Sequence, residues 1–280
     1  MTQIGTLFDQ GQLTNLERFD PFIYTDLLTT YVGETNQLIF HFWQMTNQVI
    51  LGMKDTRVPN LTRGIQKIAT HGYFPVVRNS GGLAVVADEG VLNFSIIIPE
   101  NFQQSKQSID DGYLLMKQLI TTALNDFDIS VDAHEVSDSY CPGDFDLSID
   151  GKKFAGIAQR RVKKGIAIMI YLSVYGNQQQ RGQLVRDFYL VSLENNFGTD
   201  GYPPVSPESM ANLSDLLGID LTIADIKNRI KGALPLVFKT LELVSDDLQD
   251  YLTNPNWKIN YEQQYKRMAQ RNHIIQSQEE

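Results

Sequence analysis

The sequence is short of the residues that build disulfides and metal sites. It has one cysteine, Cys141, which excludes an intrachain disulfide framework. Its four histidines, His41, His71, His134 and His273, are scattered at no metal-ligand spacing, which argues against a zinc or iron site. No apolar run approaches the length of a membrane span, and the opening MTQIGTLFDQGQ lacks the basic-then-apolar order of an export signal. The expected location is therefore the cytoplasm. Neither GxxxxGK nor GxGxxG occurs, so a phosphate-cradling loop or a dinucleotide fold has no support. Positive charge is in the minority: 24 Lys and Arg face 33 Asp and Glu, and the net charge of −9 argues against general nucleic-acid affinity.

What remains is ordinary soluble material, 280 residues that are 42% hydrophobic and 20% charged, ample for a core. The pattern predicts three parts. Residues 1–34 form a polar, loosely held start and a first helix opened by Asp20-Pro21. Residues 35–200 form a mixed α/β body. Residues 201–280 form a helical C-terminal appendage, with a helix over 207–217, a second from 222 to about 241 interrupted near Pro235, and a solvated polar tail from Pro255. In the body, strands are predicted over 38–43, 48–51, 74–78, 83–87, 91–98 and 131–137. The almost continuous apolar run 166–174 reads as a strand buried on both faces. A helix capped by Asn60 covers 61–70, and the strongest helical stripe starts at Asp110-Asp111.

Residues 138–165, DSYCPGDFDLSIDGKKFAGIAQRRVKKG, concentrate the chemistry. Phe145, Leu147 and Ile149 alternate with Asp144, Asp146, Ser148 and Asp150, as in a half-buried strand. Asp150-Gly151 is a two-residue hairpin turn whose central residues both need positive φ. The returning strand carries Lys152 and Lys153 back towards Cys141. A thiol attacks as thiolate, and a nearby ammonium favours that form. Neighbours on a strand face opposite ways, so only one of Lys152 and Lys153 can serve the site. A lone cysteine also reads as a small buried hydrophobe, and both readings stand on these residues alone.

Other features have plain readings beside functional ones. Gly81-Gly82, in Arg78-Asn79-Ser80-Gly81-Gly82, lets backbone N–H groups approach a ligand closely, or simply turns a hairpin. Ser80 lacks the GxSxG frame of a nucleophile and reads as a hydrogen-bond donor. His41, between Phe40 and Phe42, reads as a satisfied core histidine. Arg160, Arg161, Lys163 and Lys164 form a solvated turn, or a local basic patch for an acidic partner.

Taken together, RNSGGLAVVADEGVLNFSI (78–96), SYCPGDFDLSIDGKKFAGIAQRR (139–161) and the apolar strand 166–174 resemble the lipoate–protein ligase and octanoyltransferase superfamily, a relative of the biotin protein ligases. The resemblance covers roughly residues 35–190. It implies an α+β catalytic domain of the biotin/lipoate ligase type, a mixed sheet flanked by helices, with an acyl tunnel beneath the Arg-x-Ser-Gly-Gly loop. Arg78, Ser80, Gly81, Gly82, Gly156 and Ala158 then become substrate-binding residues, and Lys153 the catalytic lysine before Phe154-Ala155-Gly156. Two departures choose the branch: Leu83 stands where ATP-using ligases tend to have a third glycine, and Ala87 where they have a histidine. Such ligases also need no nucleophile at position 141. The resemblance therefore implies an acyltransferase without cofactor that moves an octanoyl or lipoyl group through a Cys141 thioester. The implied donor is the glycine cleavage H protein and the implied acceptors are lipoyl domains of 2-oxoacid dehydrogenases. The alternatives are an octanoyltransferase fed by acyl carrier protein and an ATP-dependent lipoate ligase. Arg160, Arg161, Lys163 and Lys164 would dock the acidic lipoyl domains.

Overall fold

The computed structural model describes residues 3–239, 241–245 and 248–276. Its strands are β1 (Gln3–Leu13), β2 (Leu38–Met45), β3 (Gln48–Leu51), β4 (Phe74–Val77), β5 (Val85–Ala87), β6 (Val91–Pro99), β7 (Asp132–Ala133), β8 (Leu147–Ile149), β9 (Lys152–Val162), β10 (Gly165–Ser173) and β11 (Leu241–Ser245). The α-helices are α1 (Asp20–Thr35), α2 (Leu61–Thr70), α3 (Ile109–Ala123), α4 (Gln178–Leu193), α5 (Leu213–Leu217), α6 (Ile223–Val237), α7 (Gln249–Leu252) and α8 (Pro255–Gln276). None of the described helices is long and apolar enough to cross a membrane.

Two near-continuous apolar runs dictate the centre. β6 and β10 are buried along almost their whole length and pair antiparallel from Gly165↔Pro99 to Ser173↔Val91. Strands covered on both faces must be apolar on both, which is why neither alternates. Around them the described strands form an eight-stranded sheet ordered β11-β1-β2-β6-β10-β9-β8-β7, with β1 parallel to β2 and β11 and the other pairs antiparallel. Along β6, Leu92, Phe94, Ile96 and Ile98 pack towards the core beneath α3 and α6. Val91 and Ile97 turn to the opposite core, shared with α1, α2 and α4. A smaller sheet, β4-β3-β5, lies on that second side.

The mixed sheet flanked by helices is the predicted class, and the structure differs at both ends of the chain. Residues 3–13 are a strand of the main sheet rather than a loose lead, because they pair with β2 and β11. The C-terminal helix α8 is anchored rather than solvated: Trp257, Met268, Asn272 and Ile275 are buried, and Trp257 meets Tyr24 of α1 edge-on at 5.0 Å. The expected helix over 207–217 breaks into a 3-10 turn at Pro207–Ser209 and the short α5. The expected strand 131–137 shrinks to β7, two residues long. Asp20 is the first residue of α1 instead of its cap, which is Phe19. α4 has no counterpart in the sequence reading.

Candidate active site

The hairpin forms as its turn requires. Asp150 and Gly151 have φ of 51° and 74°, and β8 and β9 pair Ser148 with Lys153 and Ile149 with Lys152. Lys153 is buried at 1% exposure, whereas Lys152 is exposed. The Lys153 ammonium makes four contacts, with Asp146 Oδ1 at 2.9 Å, Cys141 O at 2.9 Å, Tyr140 O at 3.0 Å and Ser139 Oγ at 3.1 Å. Asp146 in turn accepts from the Gly143 and Val136 N–H groups at 3.1 and 3.3 Å. Burial pushes the Asp146 carboxyl above its ordinary value, against the pull of Lys153. The lysine therefore acts first on the backbone. It ties the two carbonyls of the Tyr140-Cys141 turn to the hairpin.

That turn needs tying. Cys141 has φ of 46°, in the left-handed region, and precedes a proline. A non-glycine residue there stores roughly 1–3 kcal/mol of strain, which persists only where neighbours over-determine it. The conformation sets Sγ against the glycine loop. Leu83 N–H donates to Sγ at 3.2 Å, and Arg78 Nη2 lies 3.9 Å from it. Arg78 also donates from Nε to Gly81 O and from Nη2 to Leu83 O, both at 2.9 Å, so its fork braces the loop while facing the sulfur. Gly82 has φ of 90°, and a Cβ on it would stand 2.4 Å from Arg78 Nη2 and 3.2 Å from Sγ. Only glycine serves there.

A cavity of about 360 Å³ opens beside the thiol, a size typical of small-ligand sites. Arg78, Ser80, Gly81, Gly82, Cys141, Gly156 and Ala158 all line it, and Phe22, Trp43, Ile50, Val85, Met169 and Tyr171 give it an apolar body. Gly156 leaves room for a ring, since a Cβ would meet Tyr171 Cε1 at 2.7 Å. Lys153 lies beneath the lining rather than in it.

The basic residues divide. Arg160 is ion-paired with the buried Asp26 of α1 and donates from Nη1 to Asn79 O at 2.9 Å, while Asn79 Nδ2 reaches Asp26 at 2.9 Å. It is committed to holding the glycine loop. Arg161 donates to the carbonyls of Gln107 and Ser108 at 2.9 and 2.7 Å. Lys163 faces Glu34 at 3.3 Å, and Lys164 is exposed. At about 3.3 Å per strand residue, the end of β9 at Val162, where the Lys163-Lys164 turn begins, stands roughly 20 Å from Gly156.

Several residues that hold the site went unread in the sequence. Asp146 had a signal: Ser148 opposes Lys153, and Asp146 shares its face two residues away. Asp26 and Arg181 had none. Arg181, on α4, binds Asp88 through two contacts at 2.7 and 2.8 Å and also reaches Ser173 and Asn212. Its neighbour Gln178 donates to Tyr140 OH at 3.3 Å, so Tyr140 is held at its ring end as well as its carbonyl. His41 is fully buried, with Nε2 2.7 Å from Gln10 Oε1.

Comparison with known proteins agrees with this architecture. Residues 19–235 match the lipoyl protein ligase A/B catalytic domain. An octanoyl-[GcvH]:protein N-octanoyltransferase of Oceanobacillus iheyensis is 42% identical over 252 residues, covering 90% of this chain and 87% of that protein. One from Exiguobacterium sp. is 40% identical, over 95% of this chain and 91% of its own length. The fold is shared with a bipartite lipoate protein ligase from Thermoplasma acidophilum, at a TM-score of 0.72 and 15% identity over 98% of this chain and 97% of that one. The chain belongs to the lipoyl protein ligase A/B catalytic domain family, on its octanoyl-[GcvH]:protein N-octanoyltransferase branch.

Proposed function

We infer that this chain is a protein N-octanoyltransferase of the lipoylation pathway, and that Cys141 carries the acyl group between donor and acceptor. One observation carries the reading: the single cysteine, in a strained turn, presents its sulfur to a backbone N–H and a guanidinium at the wall of an acyl-sized cavity. An octanoyl chain in that cavity gains about 5 kcal/mol from burying its methylenes.

The chemistry balances without ATP. The Cys141 sulfur attacks the carbonyl carbon of the donor's octanoyl-lysine amide. The carbon–nitrogen bond breaks, and the donor amine leaves with the proton the thiol gives up. The acceptor lysine amine then attacks the thioester, the carbon–sulfur bond breaks, and the acceptor's proton returns to the thiol. Amide replaces amide, so the sum is nearly neutral. The first step runs uphill, since a thioester replaces an amide, so the acyl-enzyme stays a minor species until the acceptor draws it off. The oxygen of the tetrahedral intermediate sits one bond beyond the atom joined to Sγ, within reach of the Leu83 N–H. A donor so placed contributes roughly 3 kcal/mol. Arg78 balances charge at the sulfur and Lys153 keeps the turn in its reactive shape. Ser80, Gly81, Gly82, Gly156 and Ala158 shape the acyl site.

The donor is the glycine cleavage H protein and the acceptors are lipoyl domains of 2-oxoacid dehydrogenases, met in the cytoplasm. Arg161, Lys163 and Lys164 offer such acidic domains a positive approach on a chain of net charge −9. Three octanoate sources, offered separately with an apo lipoyl domain, test the reading: octanoyl-H protein, octanoyl-acyl carrier protein, and free octanoate with ATP. Transfer from the first alone is expected. Transfer that requires ATP would make the chain a ligase.

A further inference from the structure

β4 is an edge strand of the small sheet and leads directly into Arg78. Phe74 and Arg78 give their N–H groups to Asn47 O and Leu51 O, alongside β3, at 2.9 and 3.0 Å. Alternation along a strand turns residues 75 and 77 to the free edge. Pro75 has no N–H to satisfy, which suits an edge. Val77 has both backbone groups and is completely buried. An unpaired backbone group there would be costly.

The partner is a side chain from the other end of the sequence. Asn272 of α8, with no exposed surface, accepts from Val77 N–H at 2.7 Å through Oδ1 and donates to Val77 O at 3.0 Å through Nδ2. Its remaining amide hydrogen goes to Met268 O at 2.9 Å. One primary amide thus supplies a donor and an acceptor to a single strand residue, as a neighbouring strand would. The next residue along, Arg78, is the one whose guanidinium reaches Sγ. The adjoining Arg271 lies within the field of Arg160 and Asp26, the pair that holds Asn79.

We propose that Asn272 is a positioning residue for the active-site loop. It fixes the end of β4 from which Arg78 reaches Cys141, and it makes the C-terminal helix part of the catalytic apparatus. The proposal rests on Cys141 as the reacting group and Arg78 as its cation.

Because Cys141 is the only thiol, iodoacetamide alkylation reports on it alone. Alkylation rates at neutral and alkaline pH, hydrogen exchange of residues 74–83 and thermal midpoints are compared for Asn272→Ala, Arg78→Gln and Trp257→Leu. Asn272→Ala is expected to slow alkylation at neutral pH several-fold, in the direction of Arg78→Gln, and to speed exchange in 74–83. Trp257→Leu, which unseats the same helix from Tyr24 instead, should lower the midpoint and do neither. If Asn272→Ala does not fold, Asn272→Asp, which keeps the acceptor and loses the donor, takes its place. Wild-type alkylation and exchange in the Asn272 variant beside a slow Arg78→Gln would overturn the proposal and leave the reading of the site intact. Unchanged alkylation in Arg78→Gln would remove the ground under both. The same response from Trp257→Leu as from Asn272→Ala would reduce Asn272 to general stability.

Discussion

Lys153 Nζ lies 2.9 Å from the carbonyl oxygen of Cys141, on the backbone of the residue it was expected to activate through the sulfur. Among the described residues, Leu83 N–H and Arg78 face Sγ. The lysine and the arginine thus divide one task, the first shaping the turn and the second facing the thiol.

Removing Lys153 has a structural cost that must be separated from any loss of transfer. Lys153→Ala strands Asp146 in the interior without its counter-charge, a change of about 3–5 kcal/mol. The pair Lys153→Met with Asp146→Asn keeps an oxygen for the Gly143 and Val136 N–H groups and should recover most of that loss in thermal unfolding. Transfer should stay far below wild type, because nothing then holds the Tyr140 and Cys141 carbonyls. Transfer that returns together with stability would leave Lys153 no part beyond folding. Lys152→Ala, at an exposed position, should be mild in both assays.

The basic residues should separate into two behaviours. Lys163→Glu with Lys164→Glu should lower the second-order rate towards protein acceptors and flatten its dependence on salt, since both side chains are exposed. Acylation by a small octanoyl thioester should be untouched, because that substrate does not meet the patch. Arg160→Ala should harm both substrates alike, since Arg160 holds Asp26 and the Asn79 carbonyl. Stopped-flow rates across a salt series distinguish the two.

His41 predicts a share of the acid sensitivity. Burial holds its imidazole well below the ordinary histidine value of about 6.5, at about 3. The unfolded chain therefore takes up this proton first as pH falls. Stability from this residue is full above about pH 6.5 and is lost on the way down to about pH 3, by about 5 kcal/mol in all. Urea unfolding of wild type and His41→Gln at pH 7 and pH 4 should show a smaller drop in the variant. Equal drops would mean that His41 takes no part.

The central strands and the hairpin were legible because their signals are local. Asp150-Gly151 needs two positive φ angles and has them, and the apolar run at 166–174 lacks alternation because the strand it forms is covered on both faces. The residues that hold the site were not legible, for physical reasons. β1 is polar and owes its order to β2 and β11, neither of them its hairpin neighbour. α4 puts Gln178 and Arg181 on its buried face, where Asp88, Ser173 and Asn212 satisfy them, so its apolar period is broken. α8 buries Trp257, Met268, Asn272 and Ile275 among exposed polar residues, a stripe too thin and too polar to announce a packed helix. The cations look like one patch because they are adjacent in sequence. Arg160 faces a buried acid that sequence distance hides.

The acyl state of Cys141 is the decisive observable. Wild type and Cys141→Ala are mixed with octanoyl-H protein, quenched in acid and weighed intact, with and without an apo lipoyl domain. With octanoyl-H protein in excess, a single octanoyl addition is expected on a minor fraction of wild type, because the thioester forms uphill, and it should discharge when the acceptor is added. No addition and no transfer are expected in Cys141→Ala, with an unchanged fold. Transfer at the wild-type rate by Cys141→Ala, or an octanoyl group on any other residue that passes to the acceptor, would contradict Cys141 as the acyl carrier.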